Sequence, residues 1–78
     1  MNREKSKYLK YFIKLGQNIK AIRKTRKLSQ EELAFMISGA RNYIGCIERG
    51  EKSPSLTTIF KIKSALNCKL SDLFENIE

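Results

Sequence analysis

The sequence lacks the residues on which most enzyme and metal sites depend. Its 78 residues include no histidine, no tryptophan, one proline and two cysteines, Cys46 and Cys68. Histidine is the commonest general base and a frequent zinc ligand, so its absence argues against both kinds of site. The two cysteines lie far apart and show no C-x-x-C spacing, which argues against a structural zinc site. We therefore expect no metal and no cofactor.

The sequence also lacks a long apolar segment. No run approaches the roughly 20 residues that cross a bilayer, and the basic N-terminus is followed by no apolar region or cleavage site of a signal peptide. Free, reduced cysteines are typical of the cytoplasm. We therefore expect a cytoplasmic protein without a membrane partner.

Positive charge is concentrated at one end of the chain, whose formal net charge is +8. Residues 1–27 hold ten basic residues and one acid. Residues 28–58 hold three basic residues and four acids, and residues 59–78 hold three basic residues and three acids. Such a basic segment fits nucleic acid, an anionic membrane surface or an acidic partner. It also fits a solvated helix face that keeps the protein soluble.

Apolar residues at intervals of three and four predict a long first helix from Leu9 to about Lys27. The stripe consists of Leu9, Phe12, Ile13, Gly16, Ile19 and Ile22. Most of the lysines lie off this stripe. We expect residues 1–8 to form a flexible basic extension and residues 9–78 to form one domain.

A capping box marks the start of a second helix. Ser29 is the N-cap and Glu32 stands three residues later, which predicts a helix from Gln30 to Ile37. A short break follows at residues 38–40. Gly39 is expected to adopt a positive φ there, because glycine has no Cβ.

Three further helices complete the prediction. The third extends from Arg41 to Arg49 and stops at Gly50. Ser55 caps a fourth helix, Asn67 closes it in the left-handed conformation, and Ser71 caps a short fifth helix. Inward-facing residues are expected at Ile44, Ile47, Leu56, Ile59, Ile62 and Leu66. No segment alternates like a strand, so the sequence predicts an all-α fold of five helices.

A more specific set of residues covers positions 15–74. It consists of Leu15-Gly16, Ile22-Arg23, residues 28–34 (Leu-Ser-Gln-Glu-Glu-Leu-Ala), Ile44, residues 47–50 (Ile-Glu-Arg-Gly), residues 54–56 (Pro-Ser-Leu), Ile59, Ile62, Ala65-Leu66, Leu70 and Leu73-Phe74. This set resembles, without a gap, the lambda-repressor-like family of helix-turn-helix proteins, the Cro and cI type. The resemblance implies a five-helix DNA-binding domain. It also implies a sequence-specific transcriptional regulator that binds a palindromic operator as a homodimer.

Residues 41–50 resemble the recognition helix of restriction–modification controller proteins. Those proteins usually carry Thr and Ser where this chain has Asn42 and Gly45. We therefore consider a controller and a phage-type or host repressor as two versions of the same function. We place Gly45 on the outward face, where close approach to DNA would explain it better than packing does.

The turn before this helix departs from the family. The family usually has Gly at Ser38, an apolar residue at Gly39, and a capping Ser, Thr or Asp at Ala40. We expect a softer turn in which the left-handed residue shifts by one. The missing cap should lower the stability of the helix by about 1 kcal/mol.

The entry of the third helix carries the best candidates for base contacts. Arg41 fits O6 and N7 of guanine, and Asn42 fits N6 and N7 of adenine, although both could be ordinary solvated residues. Further DNA contacts are implied by the resemblance at Gln30, Tyr43 and Cys46, and Arg49 and Lys52 flank the helix exit, well placed for phosphates. Four of these have plain alternatives: exposed helix surface at Gln30, a half-buried aromatic at Tyr43, an indifferent thiol at Cys46 and a mobile loop lysine at Lys52.

The resemblance also implies a partly buried ion pair between Arg23 and Glu48, which ties the first helix to the third. A dimer interface is expected near the C-terminus, at Phe60, Leu70, Phe74 and Ile77. The alternative is that these four residues complete the core of a monomer.

The acids lie at helix caps and loops, with no phosphate-binding glycine loop beside them, so we expect neither an enzyme nor a small-molecule substrate. Two other functions compete with a DNA-binding regulator. One is an antitoxin-like interaction module that masks a partner protein with the surface of Phe35 and Met36 or with the C-terminal helix. Phe35 and Met36 stand at positions that are usually polar, and they could instead cover the core. The other is a membrane-surface helix within residues 1–27, although its apolar stripe is needed for the core.

Overall fold

The computed structural model describes residues 7–78, so residues 1–6 of the expected extension lie outside the described part of the chain. Over the described residues the protein consists of five α-helices and no strand. They are α1 (Leu9–Thr25), α2 (Gln30–Met36), α3 (Arg41–Glu48), α4 (Leu56–Leu66) and α5 (Leu70–Leu73). The all-α, five-helix prediction is confirmed.

All five helices contribute to one hydrophobic core. Its buried residues are Leu15, Ile19, Leu33, Ala34, Ile37, Ile44, Ile47, Ile59, Ile62, Leu66 and Leu73. Of the predicted stripe on α1, Ile19 lies in the core and Ile22 packs against it, whereas Leu9 and Ile13 are 36% and 37% exposed. Cys68 is half-buried against the core, and burial raises the pKa of its thiol, with a further contribution from the Asp72 carboxylate.

Local sequence signals set several helix ends as predicted. At α2, the Ser29 hydroxyl accepts the Glu32 backbone N–H at 2.9 Å, and the Glu32 carboxylate accepts the Ser29 N–H at 2.8 Å. The Ser55 hydroxyl caps α4 in the same way at 3.1 Å. Asn67 after α4 and Gly50 after α3 both adopt positive φ, at 52° and 77°. These residues satisfy backbone groups that a helix end leaves without partners.

Other ends differ from the prediction. Helix α1 stops two residues before Lys27, which adopts a φ of 59° and so cannot continue the helix. Helices α2 and α3 each end one residue earlier than expected. Helix α5 begins at Leu70, and the Lys69 N–H donates to the Asp72 carboxylate at 2.9 Å, so Ser71 lies inside the helix rather than at its cap.

Leu56 does not point into the core as expected, because its side chain is 72% exposed. It is the first residue of α4, and Ile59, one turn later, is the first residue of that helix in the core.

The turn between α2 and α3 places the left-handed residue at Ser38, with a φ of 56°, and not at Gly39. The Ser38 N–H donates to the Phe35 carbonyl at 3.1 Å, and the Gly39 N–H donates to the Ala34 carbonyl at 2.8 Å. This is the Schellman pattern, which requires positive φ at the residue that follows the helix cap. The predictions of positive φ at Gly39 and of a shifted left-handed residue are therefore wrong.

Helix α1 crosses α3 at backbone distance. A Cβ atom on Gly16 would lie 2.6 Å from the Glu48 carbonyl oxygen and would also clash with the Ile47 carbonyl. Only glycine allows this approach. The crossing fixes the C-terminal half of α3 against α1 and leaves its N-terminal end exposed.

Candidate nucleic-acid interface

Helices α2 and α3 form the helix-turn-helix corner, and the exposed entry of α3 carries the two candidate base readers. Arg41 and Asn42 occupy the first turn and are both exposed. Ala40 provides no side-chain cap, so the first N–H groups of α3 also face outward. Donors and acceptors are thus grouped at the end of α3 that enters the major groove in this motif.

Gln30 is the first residue of α2 and is half-buried against α3. Its side-chain amide Nε2 donates to Glu48 Oε1 at 3.0 Å. One amide hydrogen is therefore engaged inside the protein, and the other is the donor with which Gln30 could contact a phosphate.

Glu48 joins three helices through its carboxylate. It accepts two hydrogen bonds from the Arg23 guanidinium, at 2.6 Å from Nε and 3.0 Å from Nη2, and both side chains are buried. Arg23 also donates to the Leu28 carbonyl at 2.7 Å, just before the cap of α2. The pair is thus more deeply buried than the resemblance implied. Its link to Gln30 could not be inferred from the sequence, because no spacing rule connects these positions.

Tyr43 and Cys46 are both half-buried on α3. Tyr43 packs against the hydrophobic core, which fits the alternative of an aromatic that covers the corner. Cys46 lies one turn after Asn42 on the face that Arg49 also shares, whereas Tyr43 lies to one side of that face.

The C-terminal end of α3 carries an ion pair. Arg49 is the cap residue, and its Nε and Nη2 donate to the two carboxylate oxygens of Glu51 at 2.9 and 3.1 Å. Glu51 raises the pKa of Arg49, so the guanidinium stays charged. Arg49 Nη2 also lies 3.7 Å from Cys46 Sγ. Lys52, three residues after Arg49, is exposed.

Gly45 is buried, so the expectation of an open outward position that packing does not explain is wrong. A Cβ atom there would lie 3.1 Å from Arg49 Nη1 and 3.7 Å from Gln30 Oε1. The side chains of Arg49 and Gln30 therefore lie across the helix at Gly45.

The residues expected at a dimer interface lie on α4 and at the C-terminal end. Phe60 is 51% exposed, Phe74 is 42% exposed and Leu70 is 38% exposed. Ile77 is half-buried and packs against the core. Three of the four are therefore accessible, whereas Ile77 contributes to the monomer.

Phe35 and Met36 lie at the end of α2, and Met36 lines a groove together with Phe60 of α4. Phe35 is 86% exposed, so its interpretation as cover for the core is wrong. The two residues line a shallow groove together with Leu28, Glu31 and Glu32.

Within residues 7–78, no three metal-binding side chains of His, Cys, Asp or Glu lie together. In the same part of the chain, no helix has the length and apolar character needed to span a bilayer.

Comparisons with known proteins identify a matching helix-turn-helix family and similar control and repressor proteins. The helix-turn-helix family model matches residues 19–73. Control protein C.MunI from Mycoplasma is 40% identical over 67 residues, which are 85% of this chain and 90% of that protein. The immunity repressor of Bacillus phage phi105 is 46% identical over 57 residues, 73% of this chain, and the match spans only 40% of that repressor's length.

Among solved structures, the restriction–modification controller protein C.AhdI from Aeromonas hydrophila has a similar fold. The two chains share 40% identity with a TM-score of 0.78, over 81% of this chain and 96% of that one.

Proposed function

The chain belongs to the helix-turn-helix family of DNA-binding transcription regulators, and from that premise we propose that it binds a palindromic operator as a homodimer in the cytoplasm. The observation that supports sequence-specific binding most strongly is the exposed first turn of α3. Arg41 and Asn42 lie there with the uncapped N–H groups of the helix. Arginine and asparagine are the side chains that match guanine and adenine bidentately in the major groove.

Contacts to the phosphates supply most of the affinity in this proposal. Gln30 offers its second amide hydrogen, and Lys52 offers an exposed ammonium group. Such contacts fix the position of the protein on the duplex without reading its sequence. Tyr43 and Cys46 contribute at the edge of the same surface.

The homodimer follows from the amount of sequence that one helix can read. A single short recognition helix contacts too few base pairs to select one operator. Two copies about 34 Å apart reach successive major grooves on one side of the duplex. The exposed side chains of Phe60, Leu70 and Phe74 supply apolar area for the contact between subunits.

Control of a restriction–modification operon is the specific version that we favour. The similarity to C.MunI and C.AhdI extends over nearly the whole of both proteins, at 90% and 96% of their lengths. The match to the phage repressor covers only 40% of that protein and so supports mainly a shared DNA-binding domain. A phage-type or host repressor is the alternative within the same class.

Selection of bound sites from random duplex DNA tests the proposal. The enriched sites should share one palindromic sequence, and a scrambled duplex of equal length serves as the control. On the enriched duplex, log K should fall by about 0.9 per neutralised phosphate for each unit of log salt. A pool without a common sequence, or an affinity that stays flat with salt, contradicts sequence-specific DNA binding.

A protein-interaction module of the antitoxin type is the second candidate, and the 86% exposure of Phe35 favours it. An aromatic ring this exposed beside Met36 is typical of a protein contact surface. The test is purification from native cells at a salt concentration that releases DNA. A stoichiometric partner that is retained by the native protein and lost from Phe35→Ser supports this function, and purification of the chain alone contradicts it.

A further inference from the structure

The side chain of Arg49 does not extend beyond the end of α3 but folds back along the helix. Its Nη1 lies 3.1 Å from the position of a Cβ on Gly45, and its Nη2 lies 3.7 Å from Cys46 Sγ. The guanidinium is therefore level with the middle of the exposed face of α3. Gly45, which the guanidinium covers, and Cys46 beside it offer a base no strong donor or acceptor of their own.

Glu51 holds the guanidinium in this orientation through two hydrogen bonds. Its carboxylate occupies the edge of Arg49 formed by Nε and Nη2, at 2.9 and 3.1 Å. The backbone of Glu51 is fixed at the end of α3. Its N–H donates to the Cys46 carbonyl at 2.8 Å, directly after Gly50, which has a positive φ. The helix end and the orientation of Arg49 are thus set by the same few residues.

The remaining edge of the guanidinium, formed by Nη1 and Nη2, is the one that can contact DNA. Two adjacent N–H donors on a rigid plane match O6 and N7 of guanine. The hydrogen of Nη2 on this edge approaches only the sulfur of Cys46, a weak acceptor that a base can replace. A phosphate is a poorer partner, because the adjacent Glu51 carboxylate offsets part of the charge of Arg49 and repels an anion.

We propose that Arg49 reads a base, a guanine, in the major groove, and that Glu51 and Gly45 are positioning residues that aim its guanidinium. This inference rests on the proposed function. It assigns base recognition to the middle of α3, in addition to Arg41 and Asn42 at its start. Glycine at position 45 leaves room for the guanidinium, whereas a Cβ there would lie 3.1 Å from Nη1 and would shift it from this position.

The test compares the affinity of variants for the selected operator with their affinity for a scrambled duplex, by fluorescence anisotropy. Glu51→Gln removes the carboxylate that orients Arg49. Glu75→Gln is the matched control, because it removes one negative charge from an exposed position near the C-terminus, outside the turn that follows α3. Arg49→Lys keeps the positive charge and removes the second donor edge. Far-UV circular dichroism checks that each variant is folded.

The proposal predicts that Glu51→Gln lowers the preference for the operator over the scrambled duplex by about tenfold, the lower part of the range for one bidentate base contact. Glu75→Gln should leave that preference unchanged. Arg49→Lys should lower the preference for the operator by the same factor as Glu51→Gln. The double variant Arg49→Lys/Glu51→Gln should show no further loss of that preference. Gly45→Ala should raise the melting temperature and still reduce the preference.

Two failures can be told apart. If the native protein shows no preference for any selected duplex, the proposed function itself is wrong. If it shows a preference that Glu51→Gln and Arg49→Lys both retain, the proposed function stands and the role of Arg49 as a base reader is overturned. Equal gains in affinity for both duplexes with Glu51→Gln and Glu75→Gln would also overturn it, because Glu51 would then act only through its charge.

Discussion

The guanidinium of Arg23 and the carboxylate of Glu48 form two hydrogen bonds, of 2.6 and 3.0 Å, inside the junction of α1, α2 and α3. Each partner has a further bond there, from Arg23 to the Leu28 carbonyl and from the Gln30 amide to Glu48. The pair therefore holds α1 against α3 and also fixes a candidate DNA contact at the start of α2.

The first prediction follows from the burial of this pair. Glu48→Ala should reduce the free energy of unfolding by about 3–5 kcal/mol, because it leaves the Arg23 guanidinium buried without its counter-ion. The double replacement Arg23→Met/Glu48→Leu should cost less, since it leaves no buried charge. Urea denaturation at neutral pH measures both. A smaller loss in the single variant than in the double variant contradicts the role given to the pair.

The second prediction concerns the crossing of α1 and α3. Gly16→Ala should destabilise the protein by about 1–3 kcal/mol, because the added methyl group overlaps the α3 backbone and forces the helices apart. Gly39→Ala is the control: a Cβ there meets only side-chain atoms of Ile37, at 3.5 and 3.6 Å, and of Tyr43, at 3.9 Å, and its φ is not positive. Thermal unfolding should show a clear loss for Gly16→Ala and little change for Gly39→Ala. Equal effects would argue against a close crossing at Gly16.

The third prediction is a gain in stability. Ser38 has a φ of 56°, a conformation that costs a residue with a Cβ about 1 kcal/mol relative to glycine. Ser38→Gly should therefore raise the free energy of unfolding by roughly half to one kcal/mol, part of the relief being offset by the entropy of glycine in the unfolded chain. Urea denaturation checks the sign. A loss of stability would mean that the serine side chain has a stabilising role in the turn.

Helix ends were predictable from the sequence where a single residue is enough to satisfy the free backbone groups at the end of the helix. Ser29 and Ser55 cap α2 and α4, and Gly50 and Asn67 take the left-handed positions after α3 and α4. The turn at Ser38 was missed because the hydrogen bonds at the end of α2 determine which residue becomes left-handed, and a neighbouring glycine does not change that geometry.

The candidate site was predictable only in part, because side-chain contacts between helices depend on tertiary packing. The exposure of Arg41 and Asn42 follows from their place on α3. The cover over Gly45 does not, since it depends on how Arg49 and Gln30 fold across the helix. Leu56 was misplaced for a similar reason: periodicity gives the face of a helix but does not say where along it the core begins.

The fourth prediction addresses the homodimer. The double variant Phe60→Ser/Phe74→Ser should sediment as a monomer at micromolar concentration and should bind the operator more weakly, because both rings are exposed in the single chain and would be covered in a dimer. Phe35→Ser, which removes the exposed ring of α2 and none of the proposed interface residues, should leave the mass and the DNA affinity unchanged. Analytical ultracentrifugation with and without DNA measures the mass. A native protein that stays monomeric under both conditions contradicts the dimer.

The fifth prediction tests the claim that the start of α3 reads the sequence of the operator. Arg41→Ala and Lys52→Ala are each titrated with the selected and the scrambled duplex at two salt concentrations. Arg41→Ala should cost about 1–3 kcal/mol on the selected duplex and relax the preference at one base pair, whereas Lys52→Ala should weaken both duplexes alike and reduce the salt slope by about one. If Arg41→Ala instead lowers both affinities equally, Arg41 contacts only phosphate and α3 does not read the operator through it.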